Sequence, residues 1–92
     1  MTNQKIVNGL EEARETLFAL LGQGVFPLKV VLDSDCSDLE DIVEFLISLD
    51  KEYHCWPPNF EYVVLGSNLE RGYQLGMNID MHMIKTGRII PN

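Results

Sequence analysis

The stretch LKVVLDSDCSDLEDIVEFLISLD, residues 28–50, changes its hydrophobic period part-way along. Residues 28–32 form a short run of Leu, Lys and Val, closed by Asp33-Ser34-Asp35 and preceded by Pro27, which predicts a buried strand. From Leu39 the apolar positions are Leu39, Ile42, Val43, Leu46 and Leu49, at steps of three and four, which predicts a helix ending near Asp50. Ser37 with Glu40 three residues later reads as its capping box. A strand delivering directly into a helix is the opening half of a parallel crossover, so the chain is expected to build an α/β layer.

The same alternation of elements extends in both directions. Upstream, Ile6, Leu10, Ala13, Leu17 and Leu20/Leu21 share one helical face, with Glu11, Glu12, Arg14 and Glu15 opposite. That helix is expected to start near Asn8 and to stop at Gly22 and Gly24. Downstream, residues 51–59 form a polar, proline-bearing loop and residues 60–65 a second strand rich in Tyr and Val. Ser67 with Glu70 suggests another capping box, but Gly72 and Gly76 predict a short, weak third helix. Residues 79–84 alternate like a strand, 85–87 form a turn, and 88–90 return. The expected fold is a two-layer α/β (α+β) sandwich. It has a mixed three- to four-stranded sheet, two main helices on one face and a C-terminal β-hairpin. Residues 1–92 are read as one domain, since a chain of this length has no room for two cores.

Charge narrows the function. The net charge is −7, and residues 1–50 hold ten acidic against three basic side chains, while residues 51–92 balance. Without a basic patch, direct binding of nucleic acid is not expected. No apolar run approaches the length of a membrane span, and an acidic first helix is unlike a basic leader, so a cytoplasmic protein without membrane contact is expected. Cys36 and Cys55 could form one disulfide at most, and the cytosol favours thiols.

Residues 33–50 hold seven carboxylates and no Lys or Arg. Asp33, Asp35, Ser37, Asp41 and Glu44 fall at ligand positions of a calcium loop. However, Asp38 stands where that loop needs Gly, and Glu40 where it needs an apolar residue. Acids in a first helical turn are otherwise explained by the dipole and the orphan amides. Cys36, His54, Cys55 and His82 lack zinc-ligand spacing. No metal or cofactor is therefore expected.

Three functional readings follow. The first is a small acidic interaction module (an inhibitor, adaptor or regulator) whose helix, through Asp38, Asp41 and Glu44, docks on a basic protein surface. Its size and charge suit imitation of nucleic acid, as in phage anti-defence proteins. Trp56, held by Pro57 and Pro58, is a candidate partner anchor or else a lid on the core. The second is a small-molecule, anion or metal-binding domain using the strand ends, with Asp33, Asp35, Gly66, Ser67 and Arg71 as ligand-binding residues. The third is a small hydrolase or transferase at the same edge, for which no nucleophile and base pair up in the sequence. A non-enzyme is favoured, and the sequence permits a homodimer.

Overall fold

The computed structural model describes residues 4–7 and 9–89. Six elements alternate along it: β1 (Gln4–Val7), α1 (Leu10–Gly22), β2 (Lys29–Asp33), α2 (Leu39–Tyr53), β3 (Glu61–Leu65) and α3 (Leu69–Lys85). The strands lie in the order β1-β2-β3 and all run parallel, with Ile6, Val31 and Val63 in register. Each successive pair is joined through a helix, as parallel neighbours must be. When such crossovers share one hand and step in one direction, their helices fall on one face of the sheet.

That face is the core. Val30 and Leu32 of β2 cluster with Ala13 and Leu17 of α1, with Leu39, Ile42, Val43, Leu46 and Leu49 of α2, and with Ile79 and Met83 of α3. The stripe on α2 is thus a buried one, and each fully buried Leu or Ile contributes about 1.5–3 kcal/mol. The opposite face presents Val31 of β2 with Val63 and Leu65 of β3, since side chains alternate along a strand.

The expected mixed sheet and C-terminal hairpin are not formed. Residues 79–84 belong to α3, which is 17 residues long rather than short and weak. Gly72 and Gly76 are the reason: a Cβ on Gly72 would overlap Val64 Cγ1, and one on Gly76 would overlap the Tyr62 ring. Both glycines are buried contact points where α3 lies against β3, and Ile79 and Met83 continue their face. Packing gain outweighs the roughly 1 kcal/mol each glycine costs in a helix interior. The first four described residues are a strand, so Ile6, which the sequence pattern assigns to the α1 stripe, belongs to β1 instead. Helix starts also differ from the capping boxes expected at Ser37 and Ser67. The N-cap residues are Asp38 and Asn68, and Asn68 Oδ1 accepts the Arg71 amide at 3.3 Å. Asn8 and residue 90, an end of the expected first helix and of the hairpin, lie outside the described residues.

Candidate functional site

Parallel strands that are neighbours in sequence end at the same edge of the sheet, so the turns after β2 and β3 meet. Ser34 N–H donates to Leu65 O at 2.8 Å, extending the ladder by one rung, and the buried Ser34 Oγ accepts the Asn68 amide at 3.1 Å. Asp33 Oδ1 accepts the Asp35 amide at 3.0 Å. Asp35 then reaches across to the second turn: its Oδ2 accepts Ser67 N–H at 2.9 Å and its Oδ1 accepts the Ser67 hydroxyl at 2.5 Å. These two bonds from Ser67, aided by the charge of Arg71, hold the Asp35 carboxyl below its ordinary range against a smaller opposing effect of burial. Arg71 Nη1 donates to the carbonyls of Ser34 (3.0 Å) and Cys36 (2.8 Å), while Nη2 lies 3.5 Å from Glu40 Oε1.

The sequence-derived ligand residues Asp33, Asp35, Ser67 and Arg71 therefore lie together, but they serve one another. An incoming anion would need the Ser67 amide, which Asp35 already holds, and would meet the Asp35 charge there. The Arg71 guanidinium is committed to two carbonyls and a carboxylate. The arrangement works as a clasp between two turns.

Gly66 makes the clasp geometrically possible. Its φ is +103°, and a Cβ there would lie 2.5 Å from Ser34 Oγ and 2.9 Å from Asp35 Oδ2. Gly66→Ala is expected to destabilise the protein by about 1–3 kcal/mol, the usual size of backbone strain at such a position. Urea denaturation against the wild type measures it, and an unchanged midpoint would show that the clasp can open without loss.

The same edge gathers the amino ends of all three helices, and their first turns carry Glu11 and Glu12, Glu40 and Asp41, and Glu70. Asp41 and Glu44 are exposed on α2. They border a groove of about 370 Å³ between α1 and α2, with Leu10, Arg14 and Phe45. Asp38 is half-buried and structurally engaged: its Oδ2 accepts the first amide of α1, Leu10 N–H, at 2.9 Å, and its Oδ1 accepts the Cys36 thiol at 2.8 Å. The Cys36 bond first, then the Leu10 bond, draws the Asp38 carboxyl down. Burial, reinforced by Asp38, pushes the Cys36 thiol up.

Trp56 is 3% exposed, stacked on Phe60 at 4.5 Å between centroids and edge-on to His82 at 5.0 Å. It closes the far end of the core. Beside it lies a buried polar cluster that motif reading misses. Asp50, 1% exposed, accepts from Arg88 Nη1 (2.5 Å) and Nη2 (2.9 Å), from the Trp56 amide (3.0 Å), and pairs with His82 Nε2 (2.7 Å). The available signal was position: Asp50 stands four residues after Leu46 and seven after Val43, on the apolar stripe itself. A carboxylate there must be buried and therefore paired.

Among the described residues no three His, Cys, Asp or Glu side chains are grouped to hold a metal ion, and no helix is long and apolar enough to cross a membrane. No known protein family, curated protein or solved structure matches this chain.

Proposed function

We propose that this protein is a small non-enzymatic interaction module that docks the acidic edge of its sheet on a basic protein surface. One observation carries the reading: three helix starts and two strand ends bring Asp33, Asp35, Glu40, Asp41, Glu11 and Glu70 to one end of the molecule. Dipole compensation explains an acid in each first turn. It does not explain Glu44, a full turn further on, nor the lack of any Lys or Arg from residue 33 to residue 50. Ordinary exposed helices interleave both signs. The polar groups that could have formed a ligand site are satisfied internally, which leaves exposed charge as the chemistry this edge offers. Carboxylates spread over one end suit a partner whose basic surface holds nucleic acid, and the protein would occlude that surface by imitating phosphate charge.

The test reverses charge without touching the fold. Asp41→Lys/Glu44→Lys alters two exposed residues and spares Asp38, which fixes the start of α1. Against the partner recovered by affinity capture at low salt, the double variant is expected to associate at least about tenfold more slowly, because charge complementarity acts mainly on the encounter rate. Added salt should weaken the wild-type complex in the same sense, screening exposed charges beyond about 8–10 Å. A partner indifferent to both changes refutes docking by this edge.

A further inference from the structure

A second surface lies at the outer side of the sheet, away from the acidic residues of α2. Order β1-β2-β3 leaves β3 with one side unpaired by any described strand. Directly beside it, α3 exposes Leu69, Tyr73, Met77 and Met81, which are 47%, 54%, 58% and 51% exposed, and Leu65 at the end of β3 is 53% exposed. Steps of four residues turn a helix by about 40° beyond a full turn, so these side chains form a continuous ridge along one flank. At Tyr73 the ridge lies away from α2, and by Met81 it has turned far enough round the helix to border a groove with Ile47 and Lys51 of α2. Leu75 and Asn78 border a groove with α2, whereas Tyr73 and Asp80 border a groove of about 520 Å³ with Tyr62 of β3. Tyr62 O–H donates to Asp80 at 2.9 Å and the two helical glycines seat α3 against β3, so edge and ridge form one rigid surface.

We propose that this surface is the interface of a two-fold homodimer, in which β3 pairs antiparallel with β3 of a second copy and the α3 ridges pack together. Three observations select a second copy over a foreign strand. Soluble proteins blunt open edges with Lys, Pro or bulges, yet β3 reads Glu-Tyr-Val-Val-Leu, with its only charge at the start. The ridge is compatible with a two-fold axis: an antiparallel copy sets Tyr73 against Met77 and Leu69 against Met81. Ridges of four-residue spacing also give the commonest mode of helix packing.

Electrostatics supplies the third. Two chains of net charge −7 repel, so a self-interface must separate their acidic ends. Antiparallel pairing points the two acidic edges in opposite directions. Each then lies beside the other copy's amino edge, where Lys51 and Lys85 lie in the last turns of α2 and α3, while Lys29 at the start of β2 is held by Glu61 of its own chain at 3.0 Å. The ridge is bordered by uncharged Gln74 and Asn78 on one side and, on the β3 side, by Asp80, whose carboxylate accepts the Tyr62 hydroxyl, with Glu70 next to Leu69 at the acidic end. The dimer does not depend on what the acidic edge binds; it would present two such edges facing apart.

Light scattering coupled to size exclusion tests the proposal on the full chain. At about 100 μM, where an interface of micromolar affinity is saturated, the wild type is expected to show twice the 10.5 kDa chain mass. Met77→Leu should keep that mass and Met77→Lys should halve it, with an unchanged circular dichroism spectrum because Met77 is exposed. Hydrogen exchange of the wild type needs no variant: within residues 61–65, the edge-facing amides of Tyr62 and Val64 should exchange more slowly as protein concentration rises, since Glu61 N–H already bonds Leu28 O on the β2 side. A wild-type monomer at that concentration, a Met77→Lys dimer, or exchange at Tyr62 and Val64 that ignores concentration would each overturn the two-fold interface.

Discussion

Asp50→Ala is expected to lower the unfolding free energy at neutral pH by about 3–5 kcal/mol, the usual cost of removing one partner from a buried ion pair. For a domain of this size that is a large part of a total stability of about 5–15 kcal/mol. The cost comes from what is left behind. Arg88 loses a two-pronged carboxylate partner while held near the Trp56 ring, His82 loses its bond at 2.7 Å, and the Trp56 amide loses an acceptor inside the core. These groups belong to the end of α2, the loop after it, α3 and the segment beyond it, so one carboxylate fastens four parts of the chain. Arg88→Ala should cost less, because Asp50 then keeps the Trp56 amide and His82.

The same cluster fixes a pH dependence. Burial alone would raise the Asp50 carboxyl. Hydrogen bonds from Arg88, the Trp56 amide and His82, with the Arg88 charge, outweigh it and leave the group below its ordinary 3.8. A depressed carboxyl stabilises the fold above its unfolded value, and that contribution is lost as pH falls through the folded value. Wild-type stability should thus fall below about pH 4, and the gap between wild type and Asp50→Ala should narrow there. Equilibrium denaturation at pH 7 and at successively lower pH measures both effects; a gap that stays constant would show that Asp50 contributes through packing rather than charge.

Periodicity located the middle of this fold and misread its ends. The stripe from Leu39 to Leu49 and the apolar runs at 28–32 and 60–65 coincide with α2, β2 and β3 because each element buries one continuous face. The clasp was partly legible too, since turns after neighbouring parallel strands must meet. Residues 79–84 fit both periods, as Ile79 and Met83 recur at four while Ile79, Met81 and Met83 recur at two. What decides for helix is the face shared with Gly72 and Gly76. Its fit to Val64 and Tyr62 is a tertiary fact absent from local sequence. The mixed sheet fell with the hairpin, because every remaining connection between described strands is a helical crossover. β1 was hidden because Ile6 stands four residues before Leu10 and so extended the α1 stripe. Asp50 finds His82 and Arg88 32 and 38 residues away, beyond any local pattern.

Trp56→Ala is expected to cost about 3–5 kcal/mol of folding stability, as truncating a buried aromatic does. The indole is 3% exposed and fills the space between Phe60, the edge of His82 and the Arg88 guanidinium, whose carbon lies 6.0 Å from the ring centroid. Removing it opens a cavity that a backbone stiffened by Pro57 and Pro58 cannot collapse to fill. The loss is separable from that of Asp50, because the bond Asp50 accepts comes from the Trp56 main-chain amide, which alanine keeps. Trp56→Phe should be much milder. It preserves the stack on Phe60, and the Nε1 atom it deletes makes no hydrogen bond within the described residues. A partner anchor behaves oppositely: stability hardly changes on truncation, while affinity falls by about 2 kcal/mol or more. Denaturation curves of both variants, with a binding isotherm of Trp56→Phe against the captured partner, distinguish the roles. A Trp56→Ala protein as stable as the wild type would mean that the ring spends its time outside the core, available to a partner.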